Sequence, residues 1–456
     1  MQITVVGLGK LGAPLAAVLA DRGHDVVGVD ARPELVDLLN DGRTPIQEPG
    51  LAELVARNRP RLRATGDAAA AAAGSDASFI VVPTPSLASG GFSTRFVLDA
   101  VAAIGEGLRR TSRYHVVTVT STVMPLATSL EISPALEAAS GRVVGETVGL
   151  CYNPEFIALG TVIHDMEHPD LVLIGESDPR AGALVEAIHR SVIAASSQVR
   201  RMTWVNAELA KIAVNTFVTT KISYANMLAG LCEQLPGGDV DVVTGAIGID
   251  RRIGHRYLRG AVGYGGPCFP RDNAALATVA AQIGASADIA LATDAINRRQ
   301  VPRIAAIVRE HAEPGRDRVG VLGLSYKPDT PVVEESQGVM LAARLAADGF
   351  ATTVFDPAAL GEGGTALGPA IARAASLDDC LDAVDLAVIM VPWPAFREIP
   401  ARLRARPRRP RTIVDCWRLL DAADLEGLAA LVYPGRGATR PRSDRTARGA
   451  AGRRDG

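Results

Sequence analysis

Residues 263–272 read GYGGPCFPRD. One cysteine, Cys268, stands between a double glycine and a proline, with Asp272 four residues on. Structural cysteines usually hide in apolar runs, whereas this one sits where the backbone bends and little side chain covers it. Proline suits a first helical position. A helix starting at Pro270 puts Cys268 at its entrance and Asp272 one turn beyond. A cysteine at such an entrance can have a lowered pKa and act as a nucleophile. The alternative is a tight loop that merely contains a cysteine.

Lys211 and Asn215 in KIAVN are four residues apart, so they share one face of a helix. A lysine on a largely apolar stretch costs desolvation unless something needs its charge. Either it snorkels to solvent, or the pair hydrogen-bonds a reacting oxygen or water. His164 and His168 in HDMEH have the i, i+4 spacing of a metal pair. The sequence offers no convincing third ligand and Pro169 argues for a loop, so no metal is expected.

Gly7-Leu8-Gly9-Lys10-Leu11-Gly12 matches G-x-G-x-x-G. It follows the apolar run ITVVG and opens the helix APLAAVLADRG, and Asp30 ends the next strand, DVVGVD. In that context the motif predicts dinucleotide binding. The glycines let the backbone approach a pyrophosphate at the positive end of the helix. Asp30 would accept from the ribose hydroxyls and repel a 2′-phosphate, which favours NAD over NADP. Arg32 nearby weakens that preference slightly.

These residues need a scaffold that holds them, and the chain supplies a repeated one. LADRGHDVVGVD, ending at Asp30, parallels LAADGFATTVFD, ending at Asp356. DASFIVVPTP, which contains Thr84, parallels DLAVIMVPWP, ending at Pro394. The expectation is an α/β protein with two doubly wound domains, each binding a ligand at the carboxyl ends of its strands. Between them, residues 203–235 carry apolar residues at helical spacing and stop at Pro236-Gly237-Gly238. They read as a long central helix, a spine or a dimer contact. The expected domains are 1–200 for the dinucleotide, 201–300 for the helical linker and 301–432 for a second nucleotide-binding unit. Residues 433–456 are read as an Arg- and Gly-rich disordered tail.

Lys plus Arg number 48 and Asp plus Glu 50, so nothing in the charge asks for nucleic acid or a membrane surface. No apolar run approaches the ~18 residues of a membrane span. The chain opens directly on a strand pattern, with no room for a signal peptide. The five cysteines are scattered and include no C-x-x-C pair, as suits a reducing cytoplasm.

With GLGKLG, VPTP, STVMP (carrying Thr122), NPEF (carrying Glu155 and Phe156), AELAKIAVN, GYGGPCFPRD and GLSYKPDT in this order, the chain resembles the UDP-glucose/GDP-mannose 6-dehydrogenase family. The resemblance runs from Met1 to about residue 420. It implies oxidation of C6 of a nucleotide sugar from alcohol to carboxylate with two NAD, UDP-glucose being the default substrate. Cys268 would attack the aldehyde to give a thiohemiacetal, then a thioester that water hydrolyses. Lys211 and Asn215 would stabilise the oxyanion. Asp272 and Thr122 would position water, and Glu155 would act as general base. Lys327 would contact the nucleotide phosphates. Tyr257 and Gly265 belong to the sugar loop, where the glycines would let the sugar reach the thiol. The resemblance also points to a homodimer or higher homo-oligomer.

Three departures bear on this. Leu159 stands where the family commonly has a second glutamate, Met227 replaces another, and Val332 and Glu334 replace the usual acid and arginine after KPDT. Two other readings remain open: a single-oxidation 3-hydroxyacid dehydrogenase, and a non-catalytic nucleotide-sugar-binding relative.

Overall fold

The computed structural model describes residues 1–437 except 45, 47, 158, 159 and 407–409. Leu159 and nearly all of the expected tail therefore lie outside the described residues. The chain forms two compact units. One is Met1–Val214 with Thr278–Ala285, and the other is Asn215–Ala277 with the chain from Ser286 onward. The division falls inside one continuous helix, Trp204–Gln234, where the sequence predicts a long helix over 203–235.

The first unit holds eight strands: β1 Gln2–Val6, β2 Asp25–Val29, β3 Leu62–Thr65, β4 Ala77–Ile80, β5 Val116–Val119, β6 Gly149–Tyr152, β7 Leu171–Glu176 and β8 Gln198–Met202. They lie in the order β3-β2-β1-β4-β5-β6-β7-β8. Pairing is parallel throughout except between β6 and β7. The apolar runs read as strands are buried on both faces, as parallel sheets covered by helices require. Ile3, Val5 and Phe79 pack under Leu15 and Leu19 on one side. Val6, Val29 and Ile80 pack under Val101 and Ile104 on the other.

The second unit holds β9 Arg318–Leu322, β10 Ala351–Phe355, β11 Ala372–Arg373, β12 Leu386–Ile389, β13 Thr412–Asp415 and β14 Ala430–Val432. Their order, β11-β10-β9-β12-β13-β14, repeats that of the first six strands of the other sheet. The two quoted repeats fall on equivalent strands, with Asp30 just past β2 and Asp356 just past β10. In each sheet the strand order reverses between the first strand and the fourth, which is where doubly wound proteins bind ligands.

Two expectations change. Tyr433–Gly437 is packed rather than part of a loose tail, because Val240 N donates to Gly435 O and Gly437 N to Gly238 O. His164 lies in a short helix, Val162–Glu167, that ends two residues before Pro169, so the proline stops a helix instead of marking a loop.

Candidate active site

The glycine turn fits a dinucleotide. Gly7 has φ +97, and a Cβ there would lie 2.3 Å from the Val81 carbonyl oxygen. A Cβ on Gly12 would lie 1.7 Å from Gly7 O, so only glycine lets the helix Gly12–Asp21 start this close to the turn. Gly9 faces open space, with nothing within 4 Å of its would-be Cβ. Two glycines thus close the turn and the third leaves the backbone bare for a pyrophosphate. The Asp30 carboxylate is held by Leu8 N at 2.8 Å and by Arg32 N at 3.0 Å and Nε at 3.2 Å. Lys10 and Leu11 lie between the second and third glycines.

Thr122 sits after β5. Its carbonyl accepts from Thr84 Oγ1 at 2.7 Å, which ties the VPTP turn to the STVMP turn. Beyond it, Pro125 and Leu126 occupy the middle of a tight turn closed by Ala127 N on Met124 O at 3.0 Å. Leu126 has φ +75, a conformation that costs a non-glycine residue of order 1 kcal/mol. The Glu208 carboxylate accepts from Leu126 N at 2.7 Å and from Thr128 N at 2.8 Å. Glu208 is absent from the sequence reading, although it stands in the quoted AELAKIAVN.

The NPEF segment leaves the end of β6. Asn153 is buried, donating to Leu173 O at 2.8 Å and accepting from His189 Nε2 at 2.6 Å. Because the Asn153 amide nitrogen is already donating, its oxygen must accept, which fixes His189 with its proton on Nε2. Burial holds His189 down at about 4, so it is neutral. Glu155 is half-buried and lines, with Leu15, Phe79, Met166 and His189, a cavity of about 20 Å³, enough for one water. Burial pushes its carboxyl up to about 7, against the pull of the Lys211 charge. Lys211 is buried; its Nζ donates to the Glu155 main-chain carbonyl at 2.5 Å and lies 4.6 Å from the Phe156 ring centre. It is a held lysine, not a snorkelling one.

In the second unit, Asn215 Nδ2 donates to Asp272 Oδ2 at 2.6 Å. Asp272 is buried, while Cys268 is exposed and in no disulfide. The helix spans Phe269–Gln282, starting one residue before Pro270, and Asp272 N donates to Cys268 O at 2.8 Å. Cys268 therefore stands at the helix entrance with Asp272 in the first turn.

The glycines of the loop have a packing reason that the sequence reading lacks. A Cβ on Gly265 would lie 2.3 Å from Glu335 O, and one on Gly266 would lie 2.6 Å from the Tyr326 ring. Gly266 N donates to Glu334 O at 2.9 Å, and Tyr326 N to Val332 O at 3.0 Å. Val332 and Glu334 thus take part through their main chains. Asn226, Asn297 and Gln337 brace the same loop. Asn226 bonds Ala261 N and Val262 O, Asn297 bonds Tyr264 N and O, and Gln337 reaches Tyr264 O. Tyr257 is half exposed with φ +62 and meets the edge of Phe269 at 6.4 Å. Lys327 Nζ lies 6.0 Å over the Tyr326 ring, and burial, with Cys268 adding to it, raises the Tyr326 hydroxyl to about 12. Met227 is 40% exposed on the spine helix.

The His164 and His168 rings lie 4.8 Å apart. Among the described residues no group of three or more His, Cys, Asp and Glu could hold a metal ion. Also among these residues, no helix is long and apolar enough to cross a membrane. Cys151, Cys232, Cys380 and Cys416 are buried and in no disulfide.

A glycine turn built for a pyrophosphate, an exposed cysteine at a helix entrance and a second sheet of the same order define a two-domain, dinucleotide-dependent dehydrogenase. Three family profiles cover the chain in sequence. The NAD binding domain of the UDP-glucose/GDP-mannose dehydrogenase family matches residues 1–193, its central domain 205–299 and its UDP binding domain 320–422. The UDP-glucose 6-dehydrogenase AglM of Haloferax volcanii is 36% identical over 434 residues, covering 94% of this chain and 100% of that protein. A GDP-mannose 6-dehydrogenase of Pseudomonas putida is 34% identical over 78% of this chain and 81% of its own. A solved UDP-glucose dehydrogenase from Pyrobaculum islandicum superposes with a TM-score of 0.82 at 33% identity, over 94% of this chain and 96% of that one. The chain belongs to the UDP-glucose/GDP-mannose dehydrogenase family and is an NAD-dependent nucleotide sugar 6-dehydrogenase.

Proposed function

We propose that the chain carries out both oxidations at C6 of a nucleotide-hexose, with UDP-glucose as the first substrate to try, and releases the uronic acid. The observation that carries this reading is Cys268, exposed at a helix entrance, with Asp272 one turn on and bonded to Asn215. A single oxidation of an alcohol needs no thiol, whereas reaching the carboxylate through a covalent intermediate does.

In this reading the Cys268 thiolate adds to the C6 aldehyde, and Lys211 and Asn215 donate to the oxygen that gains charge. Loss of a hydride from that thiohemiacetal gives a thioester, and water cleaves it to carboxylate and free thiol. Bound NAD supplies the acceptor for each of the two hydrides. Glu155 accepts the proton of the attacking water, and Asp272 and Thr122 orient it. Tyr257, Phe156 and Gly265 flank the sugar, and Lys327 meets the phosphates.

The experiment is a panel of UDP- and GDP-hexoses and N-acetylated relatives with NAD, followed at the NADH absorbance band. Two NADH per sugar supports the reading, and one or none sinks it.

A further inference from the structure

Glu208 stands on the spine helix three residues before Lys211 and has no exposed surface. Its two carboxylate oxygens each accept one main-chain N–H, from Leu126 at 2.7 Å and from Thr128 at 2.8 Å. Both donors follow Thr122 closely, Leu126 within the turn and Thr128 just past it. Pro125 and Leu126 are the second and third residues of that turn, the places where proline and then glycine or asparagine are normal. Leucine at φ +75 needs an outside hold. Its side chain does not provide one, being 41% exposed. The Thr128 N–H opens the helical segment Thr128–Ile132, where the first N–H groups lack partners in the helix. One buried carboxylate satisfies both needs. From the other side Thr84 Oγ1 holds the Thr122 carbonyl.

We propose that Glu208 is a positioning residue: it clasps the Thr122–Thr128 turn to the helix that carries Lys211 and so fixes Thr122 for the dinucleotide. The proposal rests on the reading of the Thr122 turn as part of the dehydrogenase site. Charge-assisted bonds to two N–H groups are short and directional. Glutamine has a single acceptor oxygen and turns an NH2 group toward the second donor, so Glu208→Gln should loosen the turn without emptying the site.

The test uses the full chain with Glu208→Gln, Leu126→Gly and the two combined. NAD affinity is titrated by calorimetry without sugar, and kcat and KM for NAD are measured with the best sugar of the panel. Glu208→Gln should weaken NAD about tenfold and lower kcat by at least as much, as expected for loss of one charge-assisted bond. Leu126→Gly alone should stay near wild type. In the combined variant the loss should shrink to about threefold or less, because glycine holds a positive φ unaided. A carboxylate that only stabilises the fold would lower Tm and show no such rescue. Wild-type NAD affinity and kcat in Glu208→Gln, or the same loss with leucine and with glycine at 126, overturns the proposal. If Glu208→Gln does not fold, Glu208→Asp, one methylene shorter, takes its place in both backgrounds with the same criteria. The calorimetric arm needs no sugar, so it still reads the clasp if no sugar of the panel turns over.

Discussion

The Lys211 ammonium donates to the main-chain carbonyl of Glu155 at 2.5 Å. It holds the backbone of the NPEF loop, so this lysine has work to do before any substrate arrives. Its burial and its seat over Phe156 fit that task. Lys211→Met should remove an oxyanion donor and loosen the loop together. We expect kcat to fall about 10²–10³-fold, with a smaller rise in KM, measured by initial-rate NADH kinetics.

Glu155 gives a pH dependence whose sign can be stated. Burial raises its carboxyl from 4.5 to about 7 in the folded chain. Between those values the native state keeps a proton that the unfolded state loses, so this group makes stability fall as pH rises from about 4.5 to 7. In our reading thioester hydrolysis needs the ionised base, so activity should rise as pH passes through 7, whereas Tm should decline up to about pH 7 and then level off. Glu155→Gln should abolish both slopes, and a Tm–pH curve unchanged by that substitution would exclude the assignment.

Cys268→Ser should stop the four-electron reaction. Serine is far less nucleophilic at neutral pH, and its ester would be a poorer acyl donor than a thioester. The first oxidation should survive weakly. Glu155→Gln should slow hydrolysis about 10²–10⁴-fold and accumulate an adduct on Cys268, visible by intact-protein mass. Full two-NADH turnover in Cys268→Ser would falsify the covalent route.

NAD should be preferred over NADP. Asp30→Ala removes the acceptor that faces the ribose in our reading, and it also frees Arg32, which Asp30 now holds at 3.2 Å. The NADP to NAD ratio of kcat/KM should therefore rise by an order of magnitude or more. The Leu8 N–H loses its partner as well, so Tm should drop. A ratio that stays at the wild-type value would count against Asp30.

The spine helix exposes Leu209, Phe217, Tyr224 and Leu231, spaced seven or eight residues apart. That spacing makes an apolar stripe along one side. We expect at least a dimer at micromolar concentration by light scattering, and Phe217→Glu should shift it toward monomer. A monomeric wild type contradicts this.

Much of the fold is legible because buried parallel strands are written as uninterrupted apolar runs, and because the runs ending at Asp30 and Asp356 share their spacing and their closing aspartate. The glycine motif is legible because each glycine answers a separate steric demand. Glu208 is not, since a lone glutamate on a helix looks like a solvated one until its partners, some 80 residues away, are known. Asn226, Asn297 and Gln337 escape for the same reason. A signal did exist on the spine helix: Asn215, Thr219, Ser223 and Asn226 recur every three or four residues, and this polar stripe is paired through Asp272, Asn273, Thr293 and the Val262 loop. The packing partners of Gly265 and Gly266 come from residues 326–335, a contact that no local spacing encodes.

Asp356 copies the place of Asp30 but not its openness. It accepts from the N–H groups of Leu324, Ser325, Ala358 and Ala359, the Ser325 hydroxyl and the Trp393 indole. Six donors exceed the roughly four lone-pair sites of a carboxylate. An arriving ribose finds no vacancy there, so the copy has become a keystone of its own turn. Whatever separates uracil from guanine in this half of the molecule must therefore be read by side chains away from that strand end, and substitutions at Asp356 should unsettle the sheet without altering nucleotide choice.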